Sequence, residues 1–540
     1  MAKLFDAAGG YVVRGAGRAI VRNYRLRSFF VAEGCHWTRP LAALAFCTAI
    51  GLGGCLEWEK PEATLTPPQQ FREARPKSTS PIPSTRDFAM KFNSNELTSL
   101  VAQAEEENLD IAAAVARIRE ADAQARISSA ALWPSLSMTD FAQRQQVPGT
   151  TVIAINGTQN SNPSATFLRG QGTFSTTRFN LFQLGLTAGY EIDFWGKNED
   201  ASEAARLLAN ASRFDRDVVE ISITAAVLNA YFQVLSAQDR LRVLHKNVKK
   251  AETAYTALQA RLKADIATVL DTSQQGAVLA ELRAMIPPLE ETLRQTKNLL
   301  AVLVGRTPES LNVQGGSLKK LVYQHIEPGL PSEVLLRRPD VAEAEATLAS
   351  QEFLVLQARA AFFPSITLTG QYGVQSVLLT NLLSPQAVAW LIGANLAQPL
   401  FDGYRLQGQY ELQKGAYAER SALYRKQILT ALLDTENALI AVRETGQQLK
   451  LQAVAVAEGR RAFDAAVAQL GAGLIDVVTL TTTETALFRD EDLMEQVRLA
   501  HFQAATSLYQ ALGGGWSPTT RENEIDRANE AYEADKGPWP

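Results

Sequence analysis

The chain writes the same helix-to-strand junction twice, and a proline breaks the helix at the same place in each copy. Ala131-Leu132-Trp133-Pro134-Ser135-Leu136-Ser137 recurs as Ala361-Phe362-Phe363-Pro364-Ser365-Ile366-Thr367. In both copies an alanine-rich helical pattern runs into aromatic side chains, and a small-polar, strand-like stretch follows. The residue before a proline is pushed out of helical space, so each helix has to end there. No apolar helix long enough to cross a bilayer is expected anywhere in the chain. Two such junctions at aromatic belts therefore point to an α+β membrane protein, a β-barrel standing on a shaft of helices.

The strands expected from this reading are short and alternate apolar with small-polar residues. They are Ser135–Arg144, Phe182–Phe194, Ser365–Gln375 and Leu391–Phe401. About ten residues suffice for a tilted strand to cross a bilayer. The stretch 145–180 is crowded with Gly, Thr, Asn and Ser and reads as a long hairpin loop; 377–388 is its shorter counterpart. Trp133, Phe194, Trp195, Phe362, Phe363 and Phe401 all fall at helix–strand junctions, where aromatic side chains favour the headgroup region of a bilayer. The alternative is that they plug a soluble α+β core.

A very long helical pattern follows each strand pair. Leu241, Leu244, Val248, Ala251, Tyr255, Leu258 and Leu262 form a heptad seam, repeated by Leu449, Val456, Phe463, Ala466 and Leu470. Lys197 to Arg261 is about 65 residues, or roughly 100 Å of helix. Many flanking positions are Ala or Ser, which favours a sheet or tube of helices over a compact bundle. The helices are expected to turn back near Ala264-Asp265-Ile266-Ala267 and Gly471-Ala472-Gly473-Leu474-Ile475-Asp476. The return helices should end at Gly305 and Gly513, and Pro287-Pro288 must kink or break the first of them.

Composition removes several function classes. The formal charge of −4 over 540 residues gives no electrostatic case for nucleic acid. His36, His245, His325 and His501 are thin material for acid–base or metal chemistry, and no second ligand stands at metal spacing from any of them. No nucleophile–base pair and no phosphate-binding glycine loop is found, so no catalytic residue, metal or cofactor is expected. Glu105-Glu106-Glu107 reads as a solvated helix start.

The three cysteines, Cys35, Cys47 and Cys55, all lie near the start. Leu41 to Leu52 is an apolar run with Arg25, Arg27 and Arg39 upstream, the right length for a signal-peptide core and too short to span. It ends in Leu52-Gly53-Gly54-Cys55, which resembles the lipobox of bacterial lipoproteins. That resemblance implies lipidation of Cys55 after cleavage, and Leu56 resembles an outer-membrane sorting signal. The other reading is a chance cysteine after a signal or a core helix. The basic region of about forty residues is longer than the 15–30 usual for a whole signal, which suggests a true start downstream of Met1. Behind Cys55, Pro61, Pro67, Pro68, Pro76, Pro81 and Pro83 should keep an extended tether on a surface.

The string Leu330-Pro331-Ser332-Glu333-Val334-Leu335-Leu336-Arg337-Arg338-Pro339-Asp340-Val341-Ala342-Glu343-Ala344-Glu345 resembles the hallmark of the TolC-like outer-membrane efflux proteins, lipoprotein (NodT-type) branch. Tyr190-Glu191-Ile192-Asp193-Phe194-Trp195-Gly196, Gln398-Pro399-Leu400-Phe401-Asp402-Gly403, Ile286-Pro287-Pro288-Leu289-Glu290 and Leu303-Val304-Gly305 match the same family. The resemblance implies the TolC-like fold: two internal repeats, with four β-strands per subunit in a shared, trimeric twelve-stranded barrel above a long periplasmic α-helical barrel. Physics points the same way, because four strands cannot close around a channel and open edges in lipid leave backbone groups unpaired.

The expected divisions are a signal at 1–54, a lipidated tether at 55–92, a first repeat at 93–310, an equatorial linker at 311–338, a second repeat at 339–516 and a disordered tail at 517–540. The implied function is a passive exit duct of a tripartite efflux system. The implied partners are a homotrimer, a periplasmic adaptor, an inner-membrane RND pump and outer-membrane lipids. A duct for type I protein secretion and a non-channel periplasmic coiled-coil lipoprotein are the alternatives. By resemblance the helical turns form a closed periplasmic tip. Asp476, Asp265, Asp271 and Gly473 are then gate candidates; otherwise they are solvated turn residues. Asp265 stands where the family usually carries glycine.

Overall fold

The computed structural model describes residues 58, 60, 61, 63, 65–68, 70–73, 85–147, 177–323 and 329–517. The lipobox with Cys55, most of the 145–180 loop and the tail beyond Ser517 lie outside the described residues. The chain forms two compact units. One comprises the residues up to Ala121, Leu207–Ala349 and those from Ala418 on; the other comprises Asp122–Arg206 and Ser350–Tyr417.

The first copy runs α1 (Thr85–Lys91), α2 (Asn95–Glu107), α3 (Leu109–Ser129), β1 (Ser135–Val147), β2 (Thr177–Ile192), α4 (Lys197–Lys263), α5 (Val269–Ala284) and α6 (Ile286–Leu303). The second runs α7 (Pro331–Leu336), α8 (Pro339–Ala360), β3 (Ser365–Ser376), β4 (Val388–Ala397), α9 (Arg405–Gly471) and α10 (Val477–Ala511). Helices α4 and α9 each have 67 residues. The first return helix is broken at Met285, with Pro287 and Pro288 in the opening turn of α6, where a missing N–H costs nothing. Its counterpart α10 is continuous over 35 residues. Gly305 and Gly513, with φ of 73° and 89°, follow the ends of the return helices. A side chain at Gly513 would stand 1.9 Å from the Arg337 carbonyl oxygen, so only glycine fits.

Within the second unit the four strands form one antiparallel sheet in the order β1-β2-β3-β4. Its register puts Leu186 opposite both Met138 and Tyr372, and Tyr372 opposite Trp390. Because side chains alternate along a strand, one face carries Leu184, Leu186, Tyr190, Leu368, Tyr372, Trp390, Ile392 and Leu396. The other carries Ser137, Thr139, Gln183, Thr187, Thr367, Thr369, Gln371 and Asn395. The β1–β2 ladder continues to the pair Val147–Thr177, whereas the β2–β3 ladder stops at Phe182–Ser376. Strands β2 and β4 both end sooner than the sequence suggested. Asp193 Oδ2 accepts from the backbone N–H groups of Asn198 and Glu199, and Asp402 accepts from those of Arg405 and Leu406. Each carboxylate caps the following long helix and turns the chain before Phe194 or Phe401 can join the sheet.

The main core of the first unit gathers Phe88, Phe92, Leu97, Val101, Leu228, Phe232, Leu235, Leu300, Leu318, Phe502 and Tyr509, all buried. Phe88 stacks on Tyr509 at 4.0 Å between ring centroids. Two expectations are corrected here. The tether reads from sequence as running on a surface, yet Phe71 is buried among Val334, Leu439, Leu508 and Leu512, and α1 with the turn after it supplies the core phenylalanines Phe88 and Phe92. No helix was expected to be apolar enough to span, yet α4 contains such a stretch by length and composition. The reason is that Val227, Leu228, Tyr231, Phe232, Val234 and Leu235 of α4 form the middle of this core.

Arg338 of the hallmark string is buried. It donates Nε and Nη2 to the Asp340 carboxylate, Nη2 to Asp434 and Nη1 to the Ala511 carbonyl, which ties the start of α8 to α9 and to the end of α10. Replacing Phe88 by alanine should lower the unfolding free energy by about 3–5 kcal/mol, the usual cost of emptying an aromatic core site. Denaturant titration followed by circular dichroism would measure it; a loss under about 1 kcal/mol would take α1 out of the core.

Candidate functional site

Two constellations carry the functional expectations, one in each unit. In the first unit, the two αα-turns are near copies. Asp265 adopts φ of 57° and Gly473 φ of 75°. Behind them the same bonds close the helix: Ile266 N–H to the Arg261 carbonyl, and Leu474 N–H to the Gln469 carbonyl, both 2.9 Å. This is the left-handed C-terminal motif that glycine normally occupies. Asp265 keeps the geometry of Gly473 with a side chain, so the two turns match despite the different residue.

The return helices start with the same pair of side chains in opposite order. In copy one Thr268 is the N-cap and Asp271 sits three residues on: Asp271 Oδ2 accepts from Thr268 N at 2.7 Å and from Thr268 Oγ1 at 2.8 Å. The Thr268 hydroxyl in turn accepts from Asp271 N, completing a capping box. In copy two Asp476 is the N-cap and accepts from Thr479 N at 2.9 Å and Thr479 Oγ1 at 2.6 Å. Either order puts a carboxylate at the positive end of a helix. The Thr479 hydroxyl, helped by its backbone N–H, holds the Asp476 carboxyl below the usual range. Beside these acids Ile266, Val269, Leu270, Leu474 and Val478 are exposed. Each turn therefore offers apolar side chains and one or two carboxylates to whatever meets it.

Two turns of helix inward lies a feature that sequence reading passed over. Gln275 of α5 and Glu484 of α10 are both fully buried. Gln275 Nε2 donates to Glu484 Oε2 at 2.9 Å, while Oε1 of each residue finds no partner. Two acceptors left over in one dry layer need one more hydrogen. A protonated carboxyl at Glu484 would supply it, and burial raises the Glu484 pKa against the opposing pull of Gln275 and Lys250. The signal was available in the 3-4 spacing Val477, Leu480, Glu484, Leu487, Glu491, all buried on α10. The run of threonines around Glu484 obscured it. The layers below pack Leu244, Val248, Leu279, Leu282, Phe463, Leu487 and Phe488.

In the second unit the sequence-selected aromatics cluster only in part. Trp195 stacks on Phe363 at 4.6 Å, and its indole N–H donates to the Pro364 carbonyl at 2.9 Å. Phe362 meets Tyr410 edge-on at 6.0 Å. Trp133, Phe194 and Phe401 are exposed, and Phe401 is joined by Tyr404, which sequence reading had not singled out. Tyr372 and Trp390, adjacent on the apolar sheet face, were missed as well. Among the described residues no group of three or more His, Cys, Asp or Glu side chains is placed to hold a metal. His501 instead stacks on Tyr323 and bonds Thr445.

A family model described as "Outer membrane efflux protein" matches residues 100–306 and 330–514. The chain is 34% identical over 479 residues to the pyoverdine export outer membrane protein OpmQ of Pseudomonas aeruginosa, covering 88% of this chain and 97% of that protein. It is 26% identical over 485 residues to the cation efflux system protein CusC of Escherichia coli O157:H7, covering 88% and 99%. Among solved structures, a membrane protein from Pseudomonas aeruginosa superposes with a TM-score of 0.75 at 25% identity, covering 85% of this chain and 97% of that one.

Two substitutions test the turns. Asp265→Gly should stabilise by about 1 kcal/mol, because it removes the cost of a left-handed non-glycine residue, while Asp265→Val should destabilise; equal midpoints for all three proteins would refute this. Glu484 has a folded-state pKa above its ordinary 4.5, so its contribution to stability is present below that value and is lost as pH rises through the folded value. Glu484→Gln should therefore unfold later than the parent at pH 8 and about equally at pH 4. A parent protein whose stability relative to Glu484→Gln is the same at both pH values would show that Glu484 titrates in the folded protein as it does in the unfolded chain.

Proposed function

Because the chain belongs to the outer membrane efflux protein family, we propose that it is the exit duct of a tripartite efflux system. It conducts substrate passively from an inner-membrane RND pump and a periplasmic adaptor to the exterior. The observation that carries this reading is the sheet itself: four antiparallel strands, one mainly apolar face, one face rich in Ser, Thr, Gln and Gly, and edges at β1 and β4 that no other strand among the described residues pairs with. An apolar face suits lipid and a polar face suits a water-filled lumen. Four strands enclose nothing, so three copies share the wall as a homotrimer, β4 of each pairing with β1 of the next.

The helical turns are the periplasmic end of the duct. Threefold symmetry brings three copies of Asp476, and of Asp265 and Asp271, around one axis. Their mutual repulsion is relieved by cations or by opening. The exposed apolar residues beside them, Ile266, Val269, Leu270, Leu474 and Val478, are the docking points for the adaptor. Gly473 supplies the left-handed turn next to that ring. No side chain acts chemically on cargo, and the energy comes from the pump. The relatives' names speak of pyoverdine in one case and cations in another, which suits a permissive duct whose selectivity lies upstream. Cys55 carries the acyl anchor, with Leu52, Gly53 and Gly54 as its processing site. The signal, tether, repeats and tail keep the divisions given above, except that Leu65 and Phe71 of the tether pack against buried clusters of the first unit.

The test is electrical. Purified protein should run as a heat-dissociable trimer and conduct in planar bilayers; a monomer that never conducts would leave only the reading as a periplasmic coiled-coil lipoprotein. Asp476→Asn removes the charge and keeps an equally good helix cap. It should raise single-channel conductance of the closed state, and conductance unchanged from the parent would remove Asp476 from the gate. Mass spectrometry of the mature protein should find an acylated residue 55 as its first residue.

A further inference from the structure

The apolar face of the sheet ends, on the loop side, in two arginines. Along β2 that face reads Ile192, Tyr190, Ala188, Leu186, Leu184 and Phe182, then Asn180 and Arg178. From Ile192 to Phe182 is about 33 Å of strand at roughly 3.3 Å per residue, or about 25 Å of height at a tilt of about 40°. That equals the apolar band of an outer-membrane barrel. Asn180 and Arg178 are therefore the first residues beyond it. On β1 the matching face reads Leu136, Met138, Asp140, Ala142, Arg144 and Gln146. Arg144 pairs with Asn180, and Arg178 with Gln146, so the two arginines are diagonal neighbours on one surface.

We propose that Arg144 and Arg178 form a phosphate-binding site for lipopolysaccharide, the phosphorylated glycolipid of the outer leaflet. Both side chains are exposed. Gln146 Oε1 accepts from Arg178 Nε at 2.6 Å, which steers that guanidinium and leaves its terminal nitrogens for an external acceptor. Two guanidinium groups side by side repel unless an anion lies between them, and a phosphate meets such groups with paired, charge-assisted hydrogen bonds. Their uncharged partners Asn180 and Gln146 leave the patch net positive. Asp140 shares the face but lies about 13 Å down the strand, opposite Leu184, beyond reach of the same phosphate. The strand ends on this side lead into hairpin loops and the opposite ends into the long helices, so the pair meets the exterior leaflet and not the periplasmic one. The inference rests on the sheet being part of a barrel wall.

The experiment uses the full-length protein purified as its trimer in mild detergent. Its binding to bis-phosphorylated lipid A, to enzymatically dephosphorylated lipid A and to phosphatidylglycerol is measured by native mass spectrometry, and the same sample is read for conductance. The parent should bind lipid A at least about tenfold more tightly than the dephosphorylated form. Arg144→Gln/Arg178→Gln should lose that preference while keeping its conductance. Equal binding of both lipid A forms by the conducting parent, an undiminished preference in the double variant, or equally tight binding of phosphatidylglycerol would overturn the proposal. Should the variant not assemble, the two lipid A forms on the parent decide alone. A parent that neither trimerises nor conducts would instead overturn the duct reading.

Discussion

A strand edge in lipid has no water to bond, and this one constraint orders the rest of the molecule. The outer edges of β1 and β4 present rows of N–H and C=O groups that no other strand among the described residues pairs with. Hydrocarbon makes each unpaired group costly, so the sheet is stable in a membrane only when its edges meet strands of other copies. Closure then fixes what the helices must do. Each strand pair is flanked in sequence by a shorter helix and a 67-residue helix, so copies that share a strand wall, as proposed, would also bring their long helices side by side. The alanine- and serine-rich flanks of α4 and α9 suit side-by-side contact between neighbours rather than burial within one copy.

Duplication supplied two halves that later diverged without losing their geometry. At the turns a glycine and an aspartate hold the same left-handed backbone, and a Thr/Asp pair caps both return helices although its order is exchanged. The retained quantity is the hydrogen-bond pattern, not the residue at a given position. Where the halves differ in structure, at Met285, the cause is local: two prolines cannot donate to the preceding turn.

Most of the architecture was legible from period and punctuation. Proline marked the helix ends at Pro134 and Pro364, the 3-4 seam marked α4 and α9, and the aromatic junctions marked the strand ends. The strand limits were less legible, because the capping of α4 by Asp193 and of α9 by Asp402 competes with continued pairing, and a carboxylate's partner is invisible in sequence. Phe71 and residues 85–92 were misread since proline-rich composition outweighed the isolated aromatics within it. Glu484 was hidden for a related reason: a glutamate at a seam position reads as surface until its partner Gln275, remote in sequence, is placed against it.

The unequal reach of the two hairpins has an architectural outcome. The β1–β2 ladder climbs five residue pairs past the level at which β3 stops, from Gln143–Leu181 to Val147–Thr177. In a wall shared by copies, as proposed, the hydrogen-bonded rim would be crenellated, with taller and lower ladders alternating around the mouth.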